Sequence, residues 1–247
     1  MATILIVVIV LALIFDYING FHDAANSIAT IVSTKVLTPF QAVVWAAFFN
    51  FVAFFIFSDH AVANTVAKTV KPEVVSGTGG IIIILSGLIA SIIWNLFTWW
   101  FGLPSSSSHT LIGGFAGAAI AAAGFNSIDT AMIMKTVIFI FLAPLIGMFI
   151  SIFITLVTIQ KNFWLKIAII AAVVSACMLF IPFKKEFEKW ALLGLSVVFV
   201  TAYFINYFRG ETAARTGRMF KRLQLVSSAV FSIGHGGADA QKVMCII

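Results

Sequence analysis

Long apolar runs alternate with short polar segments along almost the whole chain. A helix that crosses the hydrocarbon core of a bilayer needs about 20 predominantly apolar residues. Six runs approach or exceed that length, and the pattern therefore predicts an all-α polytopic membrane protein. We place the six spans at residues 2–18, 41–58, 80–101, 132–158, 163–181 and 190–208.

Three further apolar segments are interrupted by glycine, serine and ionisable residues. They cover approximately residues 20–34, 108–123 and 223–247. Backbone that leaves the helix at membrane depth survives only where it is buried in protein or lines a cavity. We therefore expect discontinuous or re-entrant helices in these segments, including a break at Asn19–Gly20, as in transporters built around a central binding site.

Composition indicates the same class of protein. Of 247 residues, 62% are hydrophobic and 10% are charged, whereas soluble chains are about 45–50% apolar and about 25% charged. The formal net charge of +6 is no sign of nucleic-acid binding, because most basic residues lie between apolar spans. Anionic lipid headgroups and the positive-inside rule account for them there. We expect membrane lipid as a partner and no nucleic acid.

The orientation is predicted from the basic segments. Residues 209–222 contain five Lys or Arg residues and one acid, Glu211, so we interpret them as a cytoplasmic loop. The same orientation places Lys184, Lys185 and Lys189 on the opposite side, which conflicts mildly with the rule.

Two short acidic segments repeat each other within apolar surroundings. Residues Gly20–Asn26 (GFHDAAN) and Gly236–Lys242 (GGADAQK) share a glycine, an aspartate three residues later, and an alanine after it. An aspartate inside a membrane segment costs about 2.5–3.5 kcal/mol on insertion scales. Because both copies carry that cost, we expect Asp23 and Asp239 to have a paired function.

Asp23 and Asn26 lie on the same face of a helical turn, because they are three residues apart. They offer oxygen ligands to a cation, or amide and backbone donors to an anion at the start of a half-helix. The alternative is that Asp23 only caps a helix N-terminus. Asp16 either lines the same cavity or caps its own helix.

The segment Gly102–Thr110 (GLPSSSSHT) contains the second group of candidate ligands. Glycine and proline end one helix there, and four serines start the next. A helix N-terminus presents free N–H groups and about half a positive charge, and hydroxyls add neutral donors. We predict an oxyanion site at Ser105, Ser106, Ser107 and Ser108; the alternative is a polar cap.

Three histidines and one lysine adjoin these segments. His22, His109 and His235 are suited either to relay protons or to make ordinary structural hydrogen bonds. Lys242 follows Asp239 by about one turn, and at membrane depth it needs a partner. It either pairs with that carboxylate or attracts the anion. We assign no catalytic residue, no resident cofactor and no metal site.

The segments GFHDAANSIATIVSTK, GLPSSSSHTLIGG and HGGADAQK resemble the signature segments of the PiT family of inorganic phosphate transporters, and look closest to bacterial members. The resemblance extends over essentially the whole chain. It implies an inverted-repeat transporter in the bacterial inner membrane, usually a homodimer, with discontinuous or re-entrant helices. It also implies symport of phosphate with protons or sodium, in some members as a divalent-metal phosphate complex.

Carried onto this chain, the resemblance implies that Asp23, Asn26 and Ser105 to Ser108 bind phosphate. Asp239, with Lys242, would belong to the second half-site or to the coupling-ion site. We expect one transporter domain, residues 1–247. It comprises a first repeat at about 1–158, connecting helices at about 159–208, the basic loop 209–222, and the start of a second repeat at 223–247. Family members continue into a second serine-rich hairpin, so we expect this chain to be part of a longer transporter.

Three other functions are compatible with parts of the pattern. A channel is one, and its flux would not saturate. A transporter of another oxyanion such as sulfate would use the same helix N-termini. An intramembrane serine hydrolase would use one of the four serines with His109 or His22, but a serine and a histidine adjacent on a helix start rarely face each other, and there is no Gly-x-Ser-x-Gly elbow.

Overall fold

The computed structural model describes residues 2–57, 68–183 and 186–244, and these residues are predominantly helical. An isolated antiparallel bridge between Val70 and Ile128 is the extended pairing within the described ranges. The prediction of an all-α chain is confirmed. The helices are α1 (Ala2–Ser33), α2 (Pro39–Ile56), α3 (Pro72–Val75), α4 (Gly77–Trp100), α5 (Ser107–Ala123), α6 (Thr130–Ile159), α7 (Phe163–Phe180), α8 (Glu186–Phe208) and α9 (Ala213–Met244).

Six of these helices are long and apolar enough to cross a membrane: α1, α2, α4, α6, α7 and α8. They correspond to the six spans predicted from the hydrophobic runs. The largest difference at a predicted span start is in α8, which begins at Glu186 rather than at residue 190. Position 58, in the predicted second span, lies outside the described residues.

Helix α1 continues through Asn19 and Gly20, so the predicted break at this point is wrong. The predicted re-entrant segment 20–34 is the second half of α1. A glycine within a helix costs about 1 kcal/mol relative to alanine, whereas each unsatisfied backbone group in a membrane costs several. Continuing the helix therefore costs less than breaking it.

The basic segment 209–222 is also largely helical, because α9 begins at Ala213 and runs to Met244. The interpretation of this segment as a loop is correct only for its first residues, and segment 223–244 continues the same helix instead of forming a discontinuous one. Gly210, with φ of 75°, makes the turn after α8. Lys184, Lys185 and residues 245–247 lie outside the described residues.

The described chain forms two compact units, and each is described separately. The first comprises residues 1–137 and 227–247, and the second comprises residues 138–226. In the first unit, α1, α4 and α5 share an apolar core that includes Phe15, Leu88, Leu111 and Phe115. Asp23 lies on α1, and the four predicted serines lie at the start of α5.

Helices α4 and α5 approach each other closely at small residues. A Cβ atom added at Gly114 of α5 would lie within 3.0 Å of the carbonyl oxygen of Gly87 in α4. At the same place the Ser91 hydroxyl donates to the carbonyl oxygens of Gly87, at 2.7 Å, and Thr110, at 3.2 Å. Close packing therefore determines the position of the first turns of α5.

The described residues of α6, most of which belong to the second unit, include no buried side chain. Helices α7 and α8 contact each other through aromatic residues: the rings of Phe163 and Tyr207 stack with centroids 4.3 Å apart. Lys166 is buried, and its Nζ lies 4.5 Å above the centre of the Tyr203 ring.

Candidate functional site

A line of polar side chains follows one face of α1. Asn19, Asp23 and Ser27 recur at intervals of four residues and are all buried. Because residues four apart lie above one another on a helix, these groups form a continuous polar stripe on an otherwise apolar span. Buried polar groups in a membrane are costly unless they are paired, so the contacts of this stripe indicate its role.

Asp23 is surrounded by four nitrogen atoms. Asn26 Nδ2 donates to Oδ1 at 3.4 Å, and His22 Nδ1 lies 3.8 Å from the same oxygen. His235 Nε2 and Lys242 Nζ lie 4.0 and 3.9 Å from Oδ2. Asp23 lies within α1 (Ala2–Ser33) and not at the start of a helix. The capping interpretation is therefore wrong.

Asp239 lies on α9 beside the same residues. Lys242 Nζ is 2.6 Å from its Oδ1, and His235 Nε2 is 3.1 Å from its Oδ2. The histidine contact has the distance of a hydrogen bond but not its alignment, since Nε2 makes no hydrogen bond among the described residues. The predicted pairing of Lys242 with Asp239 is confirmed.

Lys242 connects α9 to α1. Its ammonium group donates to Asn19 Oδ1 at 3.3 Å, and only 4% of the residue is exposed. The ammonium therefore has three oxygen neighbours from Asn19, Asp23 and Asp239. We refer to Asn19, Asp23, His235, Asp239 and Lys242 as the carboxylate–lysine cluster.

Three members of this cluster lie close enough together to be candidate ligands of a cation. Ligand atoms of Asp23, His235 and Asp239 all lie within 4.8 Å of one another. No metal site is predicted from the sequence. Carboxylate oxygens of this kind are ligands for a hard cation, and a neighbouring imidazole adds a nitrogen ligand. The two predicted half-sites, Asp23 and Asp239, are thus brought together.

The four predicted serines lie at the start of α5. The predicted helix start is confirmed: Ser106 is the N-cap, and its side chain makes no capping hydrogen bond. The buried Ser107 Oγ has no hydrogen-bond partner among the described residues, and Ser105 Oγ lies 3.3 Å from Thr110 Oγ1. We refer to Ser105, Ser106, Ser107 and Ser108 as the serine cradle.

A cavity of about 570 Å³ opens beside the serine cradle. Ser105, Ser106 and His109 line it together with Trp94 of α4 and the small residue Gly113. Free N–H groups, hydroxyl donors and a partly positive helix end make such a place favourable for an anion.

His109 lies on α5 and Asp16 on α1, in the same unit as the carboxylate–lysine cluster. Asp16 is in the middle of α1, so the alternative in which it caps its helix is wrong.

Some residues of the site are not predicted from the sequence. Asn19 is interpreted as part of a helix break but is the acceptor for Lys242. Ser27, Ser228 and Ser232 are buried with hydroxyls that make no hydrogen bond among the described residues. The four-residue spacing of Asn19, Asp23 and Ser27 is the signal that identifies this face on an unbroken helix.

An all-α membrane protein with ionisable side chains gathered between two helices has the features of a membrane transporter, because buried charges in membrane segments mark ion and substrate pathways. The sequence profile described as the phosphate transporter family matches residues 19–247. The chain belongs to this family. Together with the six candidate spans, this membership makes the chain part of a multi-pass plasma-membrane protein.

Individual relatives agree with this assignment. The chain is 38% identical over 244 residues to a probable low-affinity inorganic phosphate transporter of Rhizobium meliloti, covering 99% of this chain and 58% of that protein. It is 36% identical over 245 residues to the protein of the same description in Bacillus subtilis, with 98% and 58% covered. The chain thus spans 58% of the length of these two relatives.

One solved structure is similar over nearly the whole chain. It is described as "The sodium-dependent phosphate transporter" and superimposes with a TM-score of 0.75 at 27% identity. The match covers 99% of this chain and 67% of that structure.

Proposed function

We propose that the protein containing this chain transports inorganic phosphate across the membrane by symport with a cation. The observation that carries this proposal is the convergence of Asp23 and Asp239, whose ligand atoms lie within 4.8 Å of each other beside Lys242. Placing two carboxylates within membrane segments costs free energy, and such residues mark ion or substrate pathways. Family membership and the phosphate transporters among the relatives support phosphate as the substrate.

The charges of the cluster explain why a cation must accompany phosphate. With neutral histidines, Asp23, Asp239 and Lys242 leave one net negative charge. A phosphate ion with a charge between −1 and −2 is repelled by that cluster in a medium of low dielectric constant. A proton or a sodium ion bound there removes the repulsion, and a divalent metal ion bound to phosphate would have the same effect.

The serine cradle is the proposed phosphate site. The free N–H groups at the start of α5 and the unpartnered Ser107 hydroxyl are neutral donors, so they bind the anion without the long residence that an arginine clamp would cause. Asn26 adds a further amide near Asp23. His22, His109 and His235 are the proposed proton carriers if the coupling ion is a proton.

Alternating access is the proposed mechanism, in which one inverted repeat moves against the other around a central site. The inverted repeats and the homodimer stay predictions from the family resemblance. Another oxyanion such as sulfate stays the alternative substrate. The hydrolase alternative has no support in the geometry, because the buried Ser107 hydroxyl makes no hydrogen bond to a base within the described residues.

The test is uptake of radiolabelled phosphate into proteoliposomes under an imposed sodium or proton gradient. We expect uptake that saturates, depends on one of the two gradients, and falls at least tenfold in Asp23→Asn. Glu186→Gln is the matched control, because it removes a carboxylate from an exposed ion pair that contributes about 0–1 kcal/mol. Saturable uptake of sulfate but not phosphate would overturn the substrate assignment, and unchanged uptake in Asp23→Asn would overturn the site.

A further inference from the structure

Four arginines border a single cavity in the second unit. The cavity has a volume of about 310 Å³ and lies between the end of α8 and the first half of α9. Its basic lining consists of Arg209, Arg215, Arg218 and Arg222. We refer to this cavity as the arginine pocket. The last three residues follow one face of α9, since they are spaced by three and four residues.

The local fold holds the two helices around the pocket in a defined arrangement. Asn206 of α8 is buried, and its Nδ2 donates to Thr216 Oγ1 of α9 at 3.1 Å. Arg215 Nη1 donates to the carbonyl oxygens of Arg209 and of Gly210, the latter at 3.1 Å. Thr212 immediately precedes α9, and its Oγ1 accepts from the Arg215 backbone N–H at 3.3 Å. The pocket is therefore built by side-chain contacts across the turn.

Membrane orientation does not explain why these arginines lie around one cavity. The positive-inside rule depends on the number of basic residues in a segment and not on where their side chains point. Here four arginines line one cavity, whereas Lys221, on the same helix, is not part of its lining. Among the described lining residues there is no aspartate or glutamate. Such a site favours an anion with several oxygen atoms, because guanidinium groups bind phosphate oxygens in pairs.

The other side of the pocket is apolar. Ala202 and Ile205 of α8 and Met219 and Leu223 of α9 complete most of the lining. Helix α8 also carries exposed apolar side chains near its end, including Phe204 and Phe208. A free phosphate ion makes no favourable contact with these apolar side chains. A phospholipid can place its headgroup phosphate against the arginines and its glycerol and first acyl carbons against the apolar residues.

We propose that the arginine pocket binds the phosphate group of an anionic phospholipid. The volume is near the lower end of the range of about 300–1,000 Å³ for small-molecule sites, which is sufficient for a headgroup while the acyl chains stay in the bilayer. Basic pockets at the end of membrane-spanning helices bind anionic headgroups by the same chemistry. The site is separate in sequence from the carboxylate–lysine cluster and the serine cradle, and it uses no residue of either.

Lipid retention measured by native mass spectrometry tests this proposal. The purified protein in detergent is titrated with phosphatidylglycerol, with phosphatidylcholine, and with inorganic phosphate as a competitor. Arg218→Gln and Arg222→Gln are compared with Lys221→Gln, which removes the same charge from the same helix outside the pocket. Arg215 is left unchanged because its hydrogen bonds hold the turn.

We expect the unchanged protein to retain phosphatidylglycerol in preference to phosphatidylcholine. Each arginine variant should weaken this retention by about fivefold, as for the loss of one hydrogen bond to the lipid phosphate, and Lys221→Gln, which lies outside the lining, by less than twofold. Inorganic phosphate at equal concentration should not displace the lipid. Circular dichroism and elution volume should be the same for all variants, so that loss of lipid is not loss of fold.

Two results would overturn the proposal. Equal weakening by Lys221→Gln and Arg222→Gln would show a diffuse basic surface instead of a pocket. Displacement of phosphatidylglycerol by inorganic phosphate would assign the site to the free ion. Neither result depends on phosphate uptake, so the outcome is independent of the function proposed above.

Discussion

Lys242 Nζ in α9 lies 3.3 Å from Asn19 Oδ1 in α1, which joins two segments at opposite ends of the sequence. The same ammonium lies 2.6 Å from Asp239 and 3.9 Å from Asp23. Three oxygens around a buried ammonium resemble the coordination of a small cation. Lys242 therefore acts as a built-in cation that lets two carboxylates lie side by side.

Replacing Lys242 with methionine should make phosphate uptake dependent on an added cation. Without the ammonium, Asp23 and Asp239 repel each other in a medium of low dielectric constant, so one of them must bind a proton or sodium. We expect uptake at low sodium and neutral pH to fall at least tenfold and to recover partly when sodium or proton concentration is raised. Lys189→Met, which alters an exposed ion pair, is the control. Unchanged uptake by Lys242→Met at low sodium and neutral pH would contradict the role of the ammonium.

Replacing Asn19 with alanine should destabilise the protein. A buried hydrogen bond to a charged group contributes about 1.5–3 kcal/mol, and Asn19 accepts one from Lys242. We expect a lower midpoint of thermal unfolding in detergent. Asn26→Ala is the comparison, because that amide is exposed and its bond to Asp23 is 3.4 Å long; it should cost less than about 0.5 kcal/mol. Equal losses in the two variants would remove the special role of Asn19.

Ser107→Ala should weaken phosphate binding without lowering stability. The Ser107 hydroxyl is buried and has no hydrogen-bond partner among the described residues, so its removal breaks no internal contact. We expect the KM for phosphate uptake to rise about fivefold, as for the loss of one hydrogen bond of about 1 kcal/mol. Ser91→Ala should instead lower the unfolding midpoint and leave the KM unchanged, because the Ser91 hydroxyl donates to the Thr110 carbonyl oxygen and so links α4 to α5. A lower unfolding midpoint with unchanged KM in Ser107→Ala would assign this serine to structure alone.

Gly114→Ala should destabilise the contact between α4 and α5. The added methyl group would lie within 3.0 Å of the Gly87 carbonyl oxygen, and overpacking of this kind costs about 1–3 kcal/mol. Gly113→Ala is the matched control, because no atom lies within 4 Å of a Cβ there. The unfolding midpoint of both variants in detergent measures the difference, and equal midpoints would show that the close approach of the helices is not required.

The sequence by itself determined the helical class, the six spans and the start of α5. These features depend on local properties: the length of an apolar run decides whether a helix crosses a bilayer, and glycine, proline and serine end one helix and begin another within a few residues. The family resemblance was also evident from the sequence, because its motifs are short and contiguous. They are Gly20–Asn26, Gly102–Thr110 and Gly236–Lys242.

Only the tertiary structure decided which polar residues meet. The sequence suggests a break at Asn19–Gly20, but α1 continues because an unpaired backbone group at membrane depth costs more than a glycine within a helix. The role of Asn19 depends on Lys242, which arrives from the far end of the chain and is invisible to any local pattern. The arginine pocket likewise exists only because α9 begins at Ala213 and turns three arginines toward α8. Contacts between distant segments follow from helix packing, and packing is a property of the folded chain.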